Sequence, residues 1–370
     1  LVCAIKTVPV AAQKTPALKK GDSVITGDVR INEYLPLLAG KRVGLLINHT
    51  SLAGKTLLLD TLLHLKVKVV KIFVPEHGFR GAAEAGEKVN STIDEQTGLP
   101  VISLYGKNKK PKKEDLSDVD IMIYDLQDVG ARFYTYISTL QYAMEACAEN
   151  KKSFLLLDRP NPNGHYVDGP VLDTALRSFV GMQPIPIVYG MTAGEYARML
   201  QGEGWFKDAK KLDLTVISCL NYDHNTLYAL PVQPSPNLRT MAAVYSYPSM
   251  CLFEGTVTSV GRGTDYPFQQ YGHPDFFGNT IYSFKPIAEL GKPEPLYAYR
   301  ECYGQIVALN EQEAHVFFNR KIRLIFLQKA YKWYPYKEKF FNSFFEKLAG
   351  TKELRKQLIA RMDEEAIRAP

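Results

Sequence analysis

The chain has 370 residues, 46% hydrophobic and 23% charged, with a formal net charge of +6. This length exceeds one comfortable hydrophobic core, and the composition is that of a folded globular protein, so large-scale disorder is excluded and two domains are expected. The basic residues are spread along the chain, and no nucleic-acid partner is expected; the one tight run, Lys107, Lys109, Lys110, Lys112 and Lys113, reads as a solvated loop.

At the start, Leu1-Val2-Cys3-Ala4 reads as the tail of an export signal or a lipoprotein-like cysteine, with a linker to residue 23. An exported, periplasmic or envelope-associated protein is therefore expected. Short runs rich in Val, Ile and Leu then predict buried parallel strands over Val43–Ile47, Val67–Val74, Asp120–Tyr124, Phe154–Leu157, Ile185–Tyr189 and Leu214–Ile217. Helical patterns fall between them, over Leu57–Leu65, over Phe133–Asn150, and from Thr192, where Thr-x-x-Glu with Glu195 is a capping box. This alternation predicts a doubly wound α/β domain over residues 24–230. Pro231, Pro234 and Pro236 then break the pattern, and residues 231–370 read as a smaller α+β domain. Its expected elements are strands over Ile306–Leu309 and Ile322–Phe326 and a helical tail over Lys337–Arg368. The five cysteines are scattered and show no Cys-x-x-Cys pairing, which excludes a zinc knuckle or disulfide framework. Cys147 and Cys251 fall in apolar settings and read as buried thiols. No run reaches the roughly 20 apolar residues that would span a bilayer.

Polar clusters follow the predicted strands: Asn48-His49-Thr50-Ser51, then Pro75-Glu76-His77-Gly78-Phe79-Arg80, then Asp125-Leu126-Gln127-Asp128 with Arg132, then Asp158-Arg159-Pro160-Asn161. The carboxyl ends of parallel strands share one edge, where ligands bind, so these clusters are expected to converge. Each also has a plainer reading. Asn48 and Thr50 would cap a helix, Glu76 would pair with Arg80, Asp125 or Asp128 would brace Arg132 or a helix start, and Asp158 would hold a rigid turn. In the C-terminal part, Glu254 follows the apolar run Met250-Cys251-Leu252-Phe253 and precedes Gly261-Arg262-Gly263-Thr264-Asp265. It reads either as a buried proton donor or as the partner of Arg262. No Gly-x-Gly-x-x-Gly, Walker loop or Gly-x-Ser-x-Gly elbow is present, which argues against dinucleotides, NTP hydrolysis and serine chemistry.

With these motifs in order, the sequence over residues 24–370 resembles the NamZ-type exo-β-N-acetylmuramidases, glycoside hydrolase family 171. The match runs through Gly44–Thr50, Pro75–Gly81, Ala85-Gly86-Glu87, Tyr124–Arg132, Leu157–Pro162, Pro234-Ser235-Pro236-Asn237 and Phe253–Thr256 with Gly261–Asp265. One departure is Gln233 before Pro234, where an aromatic is expected. The resemblance implies a Rossmann-like domain, an auxiliary domain closing a cleft, and exo-acting release of N-acetylmuramic acid from peptidoglycan fragments without a cofactor. It implies Glu76 as the catalytic carboxyl, with His77, Asp125, Asp128 and Arg132 nearby. Glycoside hydrolysis needs a proton donor and a second group at the anomeric carbon; Asp125, Glu254 or the substrate's own acetamido group would be that partner of Glu76. Arg80, Arg132 or Arg262 would hold the lactyl carboxylate, and Tyr134, Tyr136 and Tyr266 would pack on the sugar. The remaining substrate-binding candidates are Asn48, His49, Asp158 and Asp265. Two rivals stand beside this reading: a metallohydrolase using His49, His77, Asp125 and Asp128, and a non-catalytic envelope glycan-binding protein.

Overall fold

The computed structural model describes residues 23–75, 92–290 and 292–369. Among the described residues of the first part there are nine strands: β1 (Val43–Ile47), β2 (Leu52–Ala53), β3 (Thr56–Leu57), β4 (Val69–Val74), β5 (Thr92–Ile93), β6 (Pro100–Ser103), β7 (Ile121–Asp125), β8 (Ser153–Leu157) and β9 (Leu214–Ile217). Seven of them form one sheet in the order β5-β6-β4-β1-β7-β8-β9, parallel except for the edge pair β5 and β6. The chain starts in the middle at β1, runs outward to β6, then returns across β1 to β7 and runs the other way. This order reverses between β1 and β7, and it makes the topological switch point of a Rossmann-like sheet.

Strand alternation sends side chains to two cores. Val43, Leu45 and Ile47 of β1, with Ile121, Ile123, Leu155 and Leu157, join a core with Tyr34 of α1 (Ile31–Tyr34) and Leu58, Leu59 and Leu62 of α2 (Leu58–His64). Leu46, Phe73, Met122, Tyr124, Phe154 and Leu156 point the other way. They meet Tyr136, Leu140 and Cys147 of α3 (Tyr136–Glu149) and Tyr196 and Leu200 of α4 (Ala193–Glu203). Helix α4 opens with the expected capping box, Glu195 N donating to Thr192 Oγ1 at 3.1 Å and Thr192 N to Glu195 Oε2 at 2.8 Å.

The C-terminal part holds α5 (Met241–Met250), β10 (Gln270–His273), β11 (Tyr282–Phe284), β12 (Cys302–Ile306), α6 (Glu311–Phe318), α7 (Ile325–Trp333), α8 (Phe345–Ala349), α9 (Glu353–Ile359) and α10 (Glu364–Arg368). Its core, from Ala242 through Phe253 and Phe340 to Leu358, is continuous with the α3/α4 side of the sheet. Cys147 and Cys251 are buried free thiols.

Several expected elements change. Ile185–Tyr189 is no strand: Val188 alone bridges Ala131 and Asp168, because Pro184 and Pro186 remove ladder donors. Ile322–Phe326 leads instead into α7, where Phe326, Leu327, Ala330 and Tyr331 are buried with helical spacing. The strand expected at Ile306–Leu309 ends at Ile306. The long helical tail is broken, α8 stopping at Gly350 with φ 76° and α9 just before Arg361 with φ 57°. Among the described residues, no helix is long and apolar enough to cross a membrane.

Candidate active site

Asn48 directly follows β1 at the switch point, fully buried. Its Oδ1 accepts from the Thr50 amide at 2.9 Å and the Thr50 hydroxyl at 2.6 Å, and its Nδ2 donates to the Tyr136 hydroxyl at 2.7 Å. The Ser51 hydroxyl donates to the Asp125 carbonyl, and Thr50 Oγ1 accepts from the Gln127 amide at 3.2 Å. These bonds lash the β1 loop to the β7 loop. Asn48 caps no helix; β2 and β3 form a hairpin before α2 begins. His49 Nε2 lies 2.9 Å from the Gln233 carbonyl oxygen.

The acids after β7 and β8 turn inward. Asp125 continues the alternation of Ile121 and Ile123 toward the α1/α2 side, where Arg159 grips it with two bonds, Nε to Oδ1 at 2.5 Å and Nη2 to Oδ2 at 2.9 Å. Asp28, fully buried, stands 3.6 Å from the same guanidinium. Burial pushes the Asp125 carboxyl up to about 6, against the pull of Arg159. Asp128 Oδ1 accepts from the Gly130 amide at 2.7 Å and the Tyr189 hydroxyl at 2.5 Å, and burial likewise raises it to about 6. Asp158 accepts from the Thr192 hydroxyl at 2.7 Å and the Gly194 amide at 2.8 Å, fixing the start of α4. Its carboxyl is raised to about 6, again by burial.

Arg132 is not braced by Asp128 and pairs with no carboxylate among the described residues. Its Nη1 donates to the carbonyls of Pro170 at 2.9 Å and Ile185 at 2.6 Å; its Nη2 donates to those of Leu348 at 3.1 Å and Ala349 at 2.9 Å. Fully buried, it clamps the end of α8 to the first part of the chain, and burial lowers its pKa to about 10. Its Nε has no hydrogen-bond partner among the described residues, but it is buried with the rest of the side chain and Arg132 does not line the cleft, contrary to the expectation that it would hold a sugar's carboxylate.

The open space lies on the α3/α4 side of the same edge, as a cleft of about 450 Å³ between the two parts of the chain. One wall carries Tyr105, Lys109, Tyr134, Tyr136 and Phe179; the other carries Tyr247, Glu254, Arg262, Phe268, Lys347 and Leu348. Glu254 is the one carboxylate among the described lining residues. Its Oε1 accepts from Arg262 Nε at 2.9 Å and Nη2 at 2.7 Å, and the Arg262 guanidinium lies 5.0 Å from the Phe268 ring centre. Both side chains remain partly exposed, 27% for Glu254 and 30% for Arg262. The Arg262 pairing is therefore present, yet inside the cleft and not sealed in a core. Edge-on aromatic contacts stiffen the wall: Tyr134 with Tyr136 at 4.8 Å and Tyr247 with Phe268 at 4.9 Å. The Tyr134 hydroxyl donates to the Pro234 carbonyl at 2.7 Å.

Both parts of the chain match family models, "Exo-beta-N-acetylmuramidase NamZ, N-terminal" over residues 43–242 and its C-terminal counterpart over 245–370. The chain belongs to the NamZ family. The peptidoglycan β-N-acetylmuramidase NamZ of Bacillus subtilis (strain 168) is 46% identical over 278 residues, 71% of this chain and 66%, just under two thirds, of that relative's length. Two crystal structures of Bacteroides fragilis DUF1343 family proteins share the fold. One is 45% identical with a TM-score of 0.86 over 94% of each chain. The other is 31% identical with a TM-score of 0.74 over 93% of this chain and 94% of its own.

Among the expected site residues of this NamZ-family chain, the structure brings Tyr134, Tyr136, Glu254 and Arg262 into one cleft. It sets Asp125, Asp128, Arg132 and Asp158 into the surrounding framework. Asp265 and Tyr266 are exposed and line no part of the cleft. Glu76, His77 and Arg80 lie outside the described residues, as does Cys3. Among the described residues no three His, Cys, Asp or Glu side chains gather as a metal site. The sequence reading missed Tyr105, Phe179, Tyr247, Phe268 and Lys347, and it placed Lys109 in a solvated loop. Lys109 instead stands 4.4 Å over the Phe179 ring, and Lys110 pairs with Glu149 at 2.8 Å. Tyr105, two residues before the run begins, was the signal that these basic residues meet a surface.

Proposed function

We propose that this chain is an exo-acting glycosidase releasing β-linked N-acetylmuramic acid from the non-reducing end of peptidoglycan fragments. The observation that carries the reading is the cleft: an acid paired with an arginine faces an aromatic wall at the carboxyl edge of the parallel strands, in a chain matching the family on both sides of that cleft. Aromatic faces suit the apolar side of a sugar ring. Lys109, Lys347 and Arg262 supply positive charge for the lactyl carboxylate that distinguishes muramic acid.

Glu76, two residues after the end of β4, is the proton donor to the glycosidic oxygen. The C1–oxygen bond breaks, the leaving sugar takes the proton, and water adds at C1 and yields a proton. Glu254 is the partner carboxylate, since Asp125 is bound to Arg159 on the far side of the sheet. Arg262 holds it with two bonds inside the cleft. A wall-derived substrate accords with an exported, envelope-associated enzyme whose product feeds muropeptide recycling. The test is to incubate the protein with fragments bearing a non-reducing-end muramic acid and follow the products by mass spectrometry. Free N-acetylmuramic acid is expected, and Glu76→Gln abolishes it; fragments bound but uncleaved by the wild type would favour a glycan-binding protein instead.

A further inference from the structure

A second cavity, of about 290 Å³, adjoins the cleft on its C-terminal side. Glu254 and Arg262 line both, so the two spaces meet at this ion pair. Beyond the pair, the smaller cavity is walled by Asn237, Arg239, Ile287, Pro295 and Leu296, and Glu289, Lys292 and Glu294 also line it, Lys292 pairing with Glu289 at 2.6 Å. Its shape is set by backbone. Gly263 has φ +78°, and its carbonyl accepts from the Ile287 amide at 2.8 Å. A Cβ there would meet the Ile287 carbonyl oxygen and Pro295 Cγ at 2.7 Å each, so only glycine lets these walls close up. Arg239 stands exposed on the rim, its Nε donating to the Pro236 carbonyl at 2.8 Å. No described residue takes a bond from its two terminal nitrogens.

A carboxyl that works on a glycosidic bond stands where the two sugars join, with the sugar to be released on one side and the leaving sugar on the other. A carboxylate facing two adjoining cavities marks that junction. From this, and resting on the glycosidase reading above, we infer that the smaller cavity is the leaving-group subsite. It takes the amino sugar that follows the muramic acid. Pro295, Leu296 and Ile287 offer an apolar platform for one ring face, and the Arg239 guanidinium donates to ring substituents. The larger cleft, with Lys109 and Lys347, keeps the residue that carries the extra carboxylate.

The experiment compares kcat/KM on a muramic acid–glucosamine disaccharide with kcat/KM on a nitrophenyl muramic acid glycoside, whose aglycone has no sugar substituents to bind. Arg239→Ala and Leu296→Trp are each expected to lower the disaccharide-to-nitrophenyl ratio at least tenfold. Ratios at the wild-type value in both variants overturn the inference. Arg239 is exposed and Leu296 is 49% exposed, so neither change removes a core contact. A variant that loses its fold loses both substrates together, and the other variant then decides. Wild-type protein that turns over neither substrate removes the glycosidase reading itself, a result distinct from an unchanged ratio.

Discussion

On the α1/α2 side of the sheet edge, Asp125 and Asp28 crowd one guanidinium, Arg159, with all three side chains nearly inaccessible to water. Across the same edge, Glu254 holds Arg262 in a cleft open to solvent. The pairings resemble each other chemically and differ in what surrounds them. A buried pair stabilises only while both partners stay matched, because desolvation has already cost much of the Coulombic gain. An open pair is worth little to stability and is free to meet a substrate. Among the described residues, the acids near this edge therefore divide into Asp125, Asp128 and Asp158, which build it, and Glu254, which follows α5 and faces the cleft.

Substitutions break or sharpen this division. The largest expected effect is on turnover: Glu254→Gln lowers kcat by roughly 10²–10⁴-fold, the range of a lost acid–base group, while the melting temperature moves little. The reverse pattern is expected for Arg159→Ala, which strands Asp125 and Asp28 without a partner and destabilises by about 3–5 kcal/mol in urea unfolding. A Glu254→Gln protein that unfolds like Arg159→Ala would erase the contrast.

Asp128 gives a pH signature. Burial pushes it up to about 6, above the roughly 3.9 of an unfolded aspartate. The unfolded chain therefore ionises first as pH rises. Stability contributed by the neutral carboxyl is complete below about pH 4 and is lost as pH rises through 6, at most about 3 kcal/mol for a two-unit shift. Asp128→Asn should remove that fall, so the stability difference between variant and wild type changes between pH 4 and 7; a constant difference would mean that Asp128 does not titrate there. Smallest is Tyr136→Phe, which removes the acceptor of Asn48 Nδ2 and costs about 1–2 kcal/mol in thermal unfolding.

Much of this was legible in the sequence, for physical reasons. Buried parallel strands announce themselves as short Val-, Ile- and Leu-rich runs, so β1, β4, β7, β8 and β9 fall close to where they are expected. Ile185–Tyr189 has the same texture, yet Pro184 before it and Pro186 within it outweigh hydrophobicity. Motif order revealed the family, and the strand-end rule located the edge. The rule did not reveal which face each side chain takes. Asp125 and Glu254 read alike as carboxyls beside an apolar run, and only the pleat and the packing of the C-terminal part separate them. Arg132 misled for the same reason. Its partners are carbonyl oxygens, which carry no signature in a sequence, and two of them lie more than 200 residues away.

The central claim is that the cleft reads muramic acid and hydrolyses it. Its most direct test is the release of nitrophenol from paired β-glycosides of N-acetylmuramic acid and N-acetylglucosamine, identical but for the lactyl group. The account predicts rapid release from the muramic acid glycoside and at least tenfold lower kcat/KM on the other. Equal rates on both would contradict recognition of the lactyl carboxylate, and no release from either would contradict the hydrolysis itself.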